Sequence, residues 1–105
     1  MSTTDVEKVV TTFAERLREQ KFPFSGIYLF GSYAKGTARE WSDLDVCVIS
    51  DRFAGKDWDE QERQLWRWTR EVDSRIEPLG MSPEEFASEV SPMAHEVKTT
   101  GIKIA

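Results

Sequence analysis

The residues best placed to do chemistry lie between Phe30 and Val46. Gly31-Ser32 follows directly on the apolar run Ile27-Tyr28-Leu29-Phe30 and opens what can become a helix. A glycine there lets the backbone approach a ligand closely, and amides exposed at a helix start favour an anion. The Ser32 hydroxyl adds a donor, and Lys35 supplies a mobile positive charge. Asp43 and Asp45 alternate at the entrance to a second apolar run, so a strand would carry both carboxylates on one face. Carboxylates that close repel unless a cation sits between them, and Mg²⁺ held by carboxylates and substrate phosphates resolves the repulsion. The alternation recurs at Asp73, Arg75 and Glu77. If that third segment pairs beside the second, a third carboxylate joins Asp43 and Asp45. Three carboxylates can hold two metal ions about 3.5–4 Å apart, a clamp for in-line attack on a phosphoryl group. Arg75 could then orient the acids or touch a phosphate.

These residues need elements to hold them. Val6, Val9, Val10, Phe13 and Leu17 fall at helical spacing, which predicts a helix over 4–20, capped by Thr3 or Thr4 and broken by Phe22-Pro23-Phe24-Ser25-Gly26. Ile27–Phe30 and the β-branched Leu44–Ser50 predict buried strands. A second long helix is expected over 57–71, with Trp58, Leu65, Trp68 and Val72 near one face and Trp66 off that stripe. A third strand is expected over 73–79, with Pro78 near its end. Ser82-Pro83-Glu84-Glu85 combines a serine cap, proline at the first helical position and glutamate at the third. Phe86 and Val90 of that helix should face inward, and Gly101–Ala105 reads as a last short strand or a frayed end. The alternation of helices and strands predicts an α/β (α+β) fold, a small sheet with helices packed on it.

The chain has 105 residues, 39% hydrophobic and 31% charged, enough for one core and one domain over 1–105. No apolar run approaches the ~18–20 residues of a membrane span. Met1–Lys8 lacks the basic and apolar regions of a signal peptide, so the expected compartment is cytoplasmic. The one cysteine, Cys47, excludes an internal disulfide and a cysteine-based zinc site. Fourteen Lys and Arg against nineteen Asp and Glu leave a net charge of −5, which argues against extended nucleic-acid binding through phosphates. It leaves open a single nucleotide bound through a metal.

Gly31-Ser32, ten residues, then Asp43-Leu44-Asp45 resembles the signature of the DNA polymerase β-like nucleotidyltransferase superfamily, and more closely its minimal nucleotidyltransferases (the MNT group), which are about this long. The resemblance covers Phe24 to about Phe86. It implies a nucleotidyltransferase fold, a small mixed sheet flanked by helices. It also implies transfer of a nucleoside monophosphate from ATP or another NTP to an acceptor hydroxyl, with two Mg²⁺ ions and release of pyrophosphate. By position, Gly31 and Ser32 would bind the triphosphate and Asp43 and Asp45 would ligate the metals. The family's third acid leaves two candidates: Glu77, in Ile76-Glu77-Pro78, and Asp73, in Val72-Asp73, with the balance towards Glu77. Many minimal nucleotidyltransferases are antitoxins paired with a helical HEPN toxin, to which they are thought to attach AMP. A HEPN-type partner or a homo-oligomer is therefore expected here.

Plainer roles compete at several positions. Lys35 and Arg39 could be a solvated helix face, and Trp41 either a stacking surface for a base or a lid on the core. Trp58, Trp66 and Trp68 suit core or partner surface, and an exposed Trp66 would favour an interface. Cys47 reads as a small buried hydrophobe and His95 as a surface residue. Two rival functions remain: a non-catalytic nucleotide- or partner-binding antitoxin module acting by occlusion, and transfer to a small molecule such as an aminoglycoside or to an RNA end.

Overall fold

The computed structural model describes residues 3–39 and 42–105. Trp41 lies outside the described residues. The elements in chain order are α1 (Thr3–Glu19), β1 (Gly26–Phe30), the single turn α2 (Ser32–Lys35), β2 (Leu44–Ile49), a 3-10 turn (Asp51–Phe53), α3 (Trp58–Val72), β3 (Ile76–Met81), α4 (Pro83–Ala87), α5 (Pro92–Thr100) and β4 (Ile102–Lys103).

The strands form one mixed sheet in the order β3-β2-β1-β4. β1 is antiparallel to β2 and β4, whereas β2 and β3 run parallel. Parallel neighbours need a long crossover, and α3 supplies it. Strand alternation sorts the side chains into two cores. Ile27, Leu29, Val46 and Val48 face α1 and α3, joining Phe13, Leu17 and Leu65. Tyr28, Phe30, Cys47, Ile49 and Met81 face the other way, against Phe86 of α4 and Ala94 and Val97 of α5. The result is three layers, with β2 covered on both faces.

The amphipathic stripe of α1 behaves as its spacing requires: Val6, Val10, Phe13 and Leu17 are fully buried. Lys21, at φ 58, turns the chain out of the helix before Pro23. Ser82 caps α4 as expected, its side chain accepting from the Glu85 amide.

Four expectations need correction. The third strand starts at Ile76, not Asp73, because Asp73 is the C-cap of α3 and the Ile76 amide bonds back to the Asp73 carbonyl in a turn. Pro78 consequently sits third in a six-residue strand, which is tolerated because β3 is an edge strand. Trp58, expected on the inner stripe of α3, is 54% exposed, since that first turn projects beyond the core; Thr69 is buried further along the helix instead. Val90, expected to face inward, is 89% exposed because α4 ends at Ala87. The segment after it forms a separate helix, α5, which the periodicity did not reveal. Its start repeats the α4 signal: Ser91 accepts from the Ala94 amide and Pro92 opens the helix.

Candidate active site

The site is built where β1 ends and β2 begins. Gly31 leaves β1 at φ 74 and ψ −150, a region essentially confined to glycine. A Cβ there would collide with the carboxylate of Asp45. The backbone approach anticipated for a ligand is thus first an approach to the chain's own aspartate. Gly31 positions Asp45 by giving it room. Beyond it, α2 closes at Gly36, φ 75 and ψ 16, in the left-handed conformation that commonly ends a helix. The Thr37 amide bonds the Ser32 carbonyl at 2.9 Å, so the Gly31–Thr37 segment is a compact loop.

Strand register places the acids. Asp45 faces Phe30 across the antiparallel pair and Glu77 across the parallel pair. Asp43 stands exposed just before β2, and its carboxyl shares a hydrogen bond with Glu77. Burial, reinforced by the charge of Asp43, pushes the Asp45 carboxyl above the usual aspartate range. Glu77 is pushed up by burial, then by the charge and hydrogen bond of Asp43, and further by Asp45. The cluster is therefore held together against its own repulsion, an environment that favours a proton or a divalent cation.

Asp73 is placed differently. Its carboxylate accepts from the backbone amide of Arg75 at 2.9 Å and from the guanidinium at 2.7 and 3.1 Å. That pairing holds the Asp73 carboxyl below the usual range and raises Arg75. Of the two candidates for a third acid, the fold brings Glu77 alongside Asp43 and Asp45 and turns Asp73 to Arg75. The expectation that Asp73, Arg75 and Glu77 share a strand face fails because the alternation begins only at Ile76.

Lys35 lies on the last residue of α2, and its ammonium is 2.6 Å from Glu96 of α5. Glu96 escaped the sequence reading along with α5 itself; the Ser91-Pro92 start was the signal that could have found it. Arg39 belongs to a loop in which its amide donates to Ser42 Oγ and its carbonyl accepts from Ser42 and from the Tyr33 hydroxyl. His95 is exposed, and Cys47 is buried, its thiol pushed up to about 12 by burial and then by Glu85.

Beside the acids opens a cleft of about 560 Å³. Asp45, Glu77 and Glu96 line it with the apolar Trp66, Leu79 and Met93. Among the described residues no three His, Cys, Asp or Glu side chains form a ready cage for a metal. A Mg²⁺ ion in phosphoryl-transfer sites takes only one or two protein carboxylates and completes its shell with water and substrate phosphates, which suits the acids here.

A three-layer mixed sheet that sets alternating carboxylates beside a glycine turn defines a domain of the nucleotidyl-transferring class. The chain belongs to the nucleotidyltransferase domain family, whose model matches residues 10–93. Its fold is similar to that of a "putative nucleotidyltransferase" from Sulfolobus solfataricus, with a TM-score of 0.72 and 13% identity, over 96% of this chain and 80% of that one. It is also similar to a toxin–antitoxin structure with AMP-PNP, with a TM-score of 0.64 and 25% identity, over 94% of this chain and 72% of that one. Both likenesses agree with the fold of a nucleotidyltransferase domain. No curated protein matches the chain. Among the described residues no helix is long and apolar enough to cross a membrane.

Proposed function

We propose that residues 1–105 act as a single nucleotidyltransferase domain that transfers AMP from ATP to a hydroxyl on a partner protein, a HEPN-type toxin, in the cytoplasm. The observation that carries the reading is the register of β2 against β3, which sets Glu77 beside Asp45, with Asp43 hydrogen-bonded to Glu77. Family membership supports the transferase class. The similarity to a toxin–antitoxin structure with AMP-PNP supports an adenine nucleotide and a protein partner.

In this reading Asp43, Asp45 and Glu77 would hold two Mg²⁺ ions, whose charge would neutralise the triphosphate and the charge that builds up on transfer. Gly31 and Ser32 take the phosphates through backbone amides and the serine hydroxyl. Lys35 exchanges Glu96 for phosphate oxygen. Glu77 accepts the proton of the attacking hydroxyl, whose oxygen bonds the α-phosphorus as pyrophosphate leaves. Asp73 holds Arg75 and is not a ligand.

The test incubates the protein with Mg²⁺ and α-³²P-ATP in host lysate and resolves the products on a denaturing gel. A labelled protein band that vanishes with Asp43→Asn/Asp45→Asn supports the reading. No label with any of the four NTPs favours the occlusion module, which would bind its partner equally well in EDTA.

A further inference from the structure

We infer that the strip running from Trp58 across Leu79 to Trp66 and Met93 is a docking surface for a basic protein segment carrying an apolar anchor. Trp58, Glu62 and Trp66 follow each other at four-residue spacing along α3 and so share one side of the helix. Trp58 is 54% exposed, Trp66 40% and Met93 42%. Leu79 joins them, because it lines both the cleft at Trp66 and Met93 and a second hollow of about 440 Å³ at Trp58. Exposed large side chains that form one continuous strip mark an interaction site more than scattered ones do.

The charge on the strip selects the occupant. Glu62 and Glu85 line the outer hollow; of the acids lining the cleft, Glu96 is paired with Lys35, and Asp45 and Glu77 are those assigned to metal. Among the described residues no lysine, arginine or histidine lines either hollow. Two cations near the strip are paired: Lys35 with Glu96, and Arg63 with Asp59 and Glu60. Arg70, one turn beyond Trp66, lies outside both hollows. A second copy meeting this face through a two-fold axis would bring Glu62 and Glu85 of both copies into one interface, on a chain of net charge −5. A partner offering Lys or Arg around one bulky apolar residue satisfies both the aromatic strip and the acids. The inference rests on the transferase reading only in that a segment docked here would bring its hydroxyl up to Asp45 and Glu77.

The test uses the full chain in EDTA without nucleotide, so that binding is read apart from transfer. The probe is the peptide acetyl-Lys-Arg-Phe-Leu-Arg-Lys-amide, with acetyl-Glu-Glu-Phe-Leu-Glu-Glu-amide as its acidic counterpart. The Trp58 and Trp66 indole N–H signals are followed by NMR. The basic peptide should shift both signals saturably and the acidic one should not. Glu62→Lys/Glu85→Lys should weaken binding at least tenfold, Trp66→Ser likewise, and the off-strip Val90→Ser should leave it unchanged, with each variant checked for an unaltered melting curve. Equal binding of the two peptides, binding indifferent to the charge reversal, or no saturation would overturn the inference. So would a particle of twice the monomer mass that Trp58→Ser returns to the monomer, since a second copy would then cover the strip. None of these outcomes bears on whether label is transferred.

Discussion

Replacing Gly31 by alanine should damage fold and site together, and Gly36→Ala provides the internal comparison. The two glycines have nearly the same φ, 74 and 75, but different surroundings. Gly36 is in the left-handed helical region with nothing within 4 Å of an added Cβ. Its replacement should cost about 1 kcal/mol, the ordinary penalty for an L-residue there. Gly31 has ψ −150, where a side chain costs about 1–3 kcal/mol. Its Cβ would also stand 3.0 Å from Cγ and 3.2 Å from Cβ of Asp45 and closer still to the carboxylate oxygen. Asp45 would have to retreat by about 1 Å to reach ordinary contact distance. Near 100 residues each kcal/mol lowers Tm by about 4–8 °C. Calorimetry should therefore show Gly31→Ala melting about 8–16 °C below wild type, near 2 kcal/mol, against about 4–8 °C for Gly36→Ala. A 1 Å displacement of a reacting group costs about 10²-fold in rate, so transfer measured well below Tm should fall by about that factor in Gly31→Ala alone. If the two variants melt together and both retain transfer, Gly31 does not make room for Asp45 and the account of the site fails.

Further outcomes are expected. Asp45 and Glu77 are raised in the folded chain above their ordinary values of 3.8 and 4.5, so above those values the folded state holds more protons than the unfolded one and stability falls as pH rises. Asp43→Asn should accordingly raise Tm at neutral pH but not below pH 3.8, and Mg²⁺ should raise the wild-type Tm more than that of Asp43→Asn/Asp45→Asn. Glu77→Gln should cut transfer by about 10²–10⁴-fold with little loss of stability. Asp73→Asn should do the reverse, because the Arg75 pairing lowers the Asp73 carboxyl and so stabilises the fold above pH 3.8, an effect lost as pH falls through the folded value. Glu96→Gln should release Lys35 for phosphate and lower the KM for ATP about two- to fivefold, the range of an exposed ion pair, as steady-state kinetics would show.

The legible parts of the chain were those whose physics is local. Helical spacing in α1, the apolar runs of β1 and β2, and the Ser82-Pro83 start each act over a few neighbouring residues. The Gly31-Ser32 and Asp43-x-Asp45 pattern was equally plain, because its meaning depends on residue type and short spacing. Reading failed where a boundary was set by hydrogen bonds that the apolar pattern does not record. The pattern at Asp73, Arg75 and Glu77 alternates like a strand, yet Asp73 ends α3, because a carboxylate that can bond both the Arg75 amide and its guanidinium stabilises a turn there. Val90 continued a helical pattern that Ala87 had already ended, and α5 was too short and weakly striped to stand out.

The sequence alone thus determined the class of chemistry: a glycine turn after a strand and two alternating acids entering another. It leaned to Glu77 over Asp73 without settling the choice, since both lie within reach of any strand drawn through the segment. The parallel register of β2 and β3 sets Glu77, and not Asp73, opposite Asp45. The tertiary fold also decided that Glu96, more than fifty residues away in sequence, holds Lys35, and that Trp66 and Met93 border the acids. Register and helix docking are set by burying whole faces at once, a collective effect that no short window of residues contains.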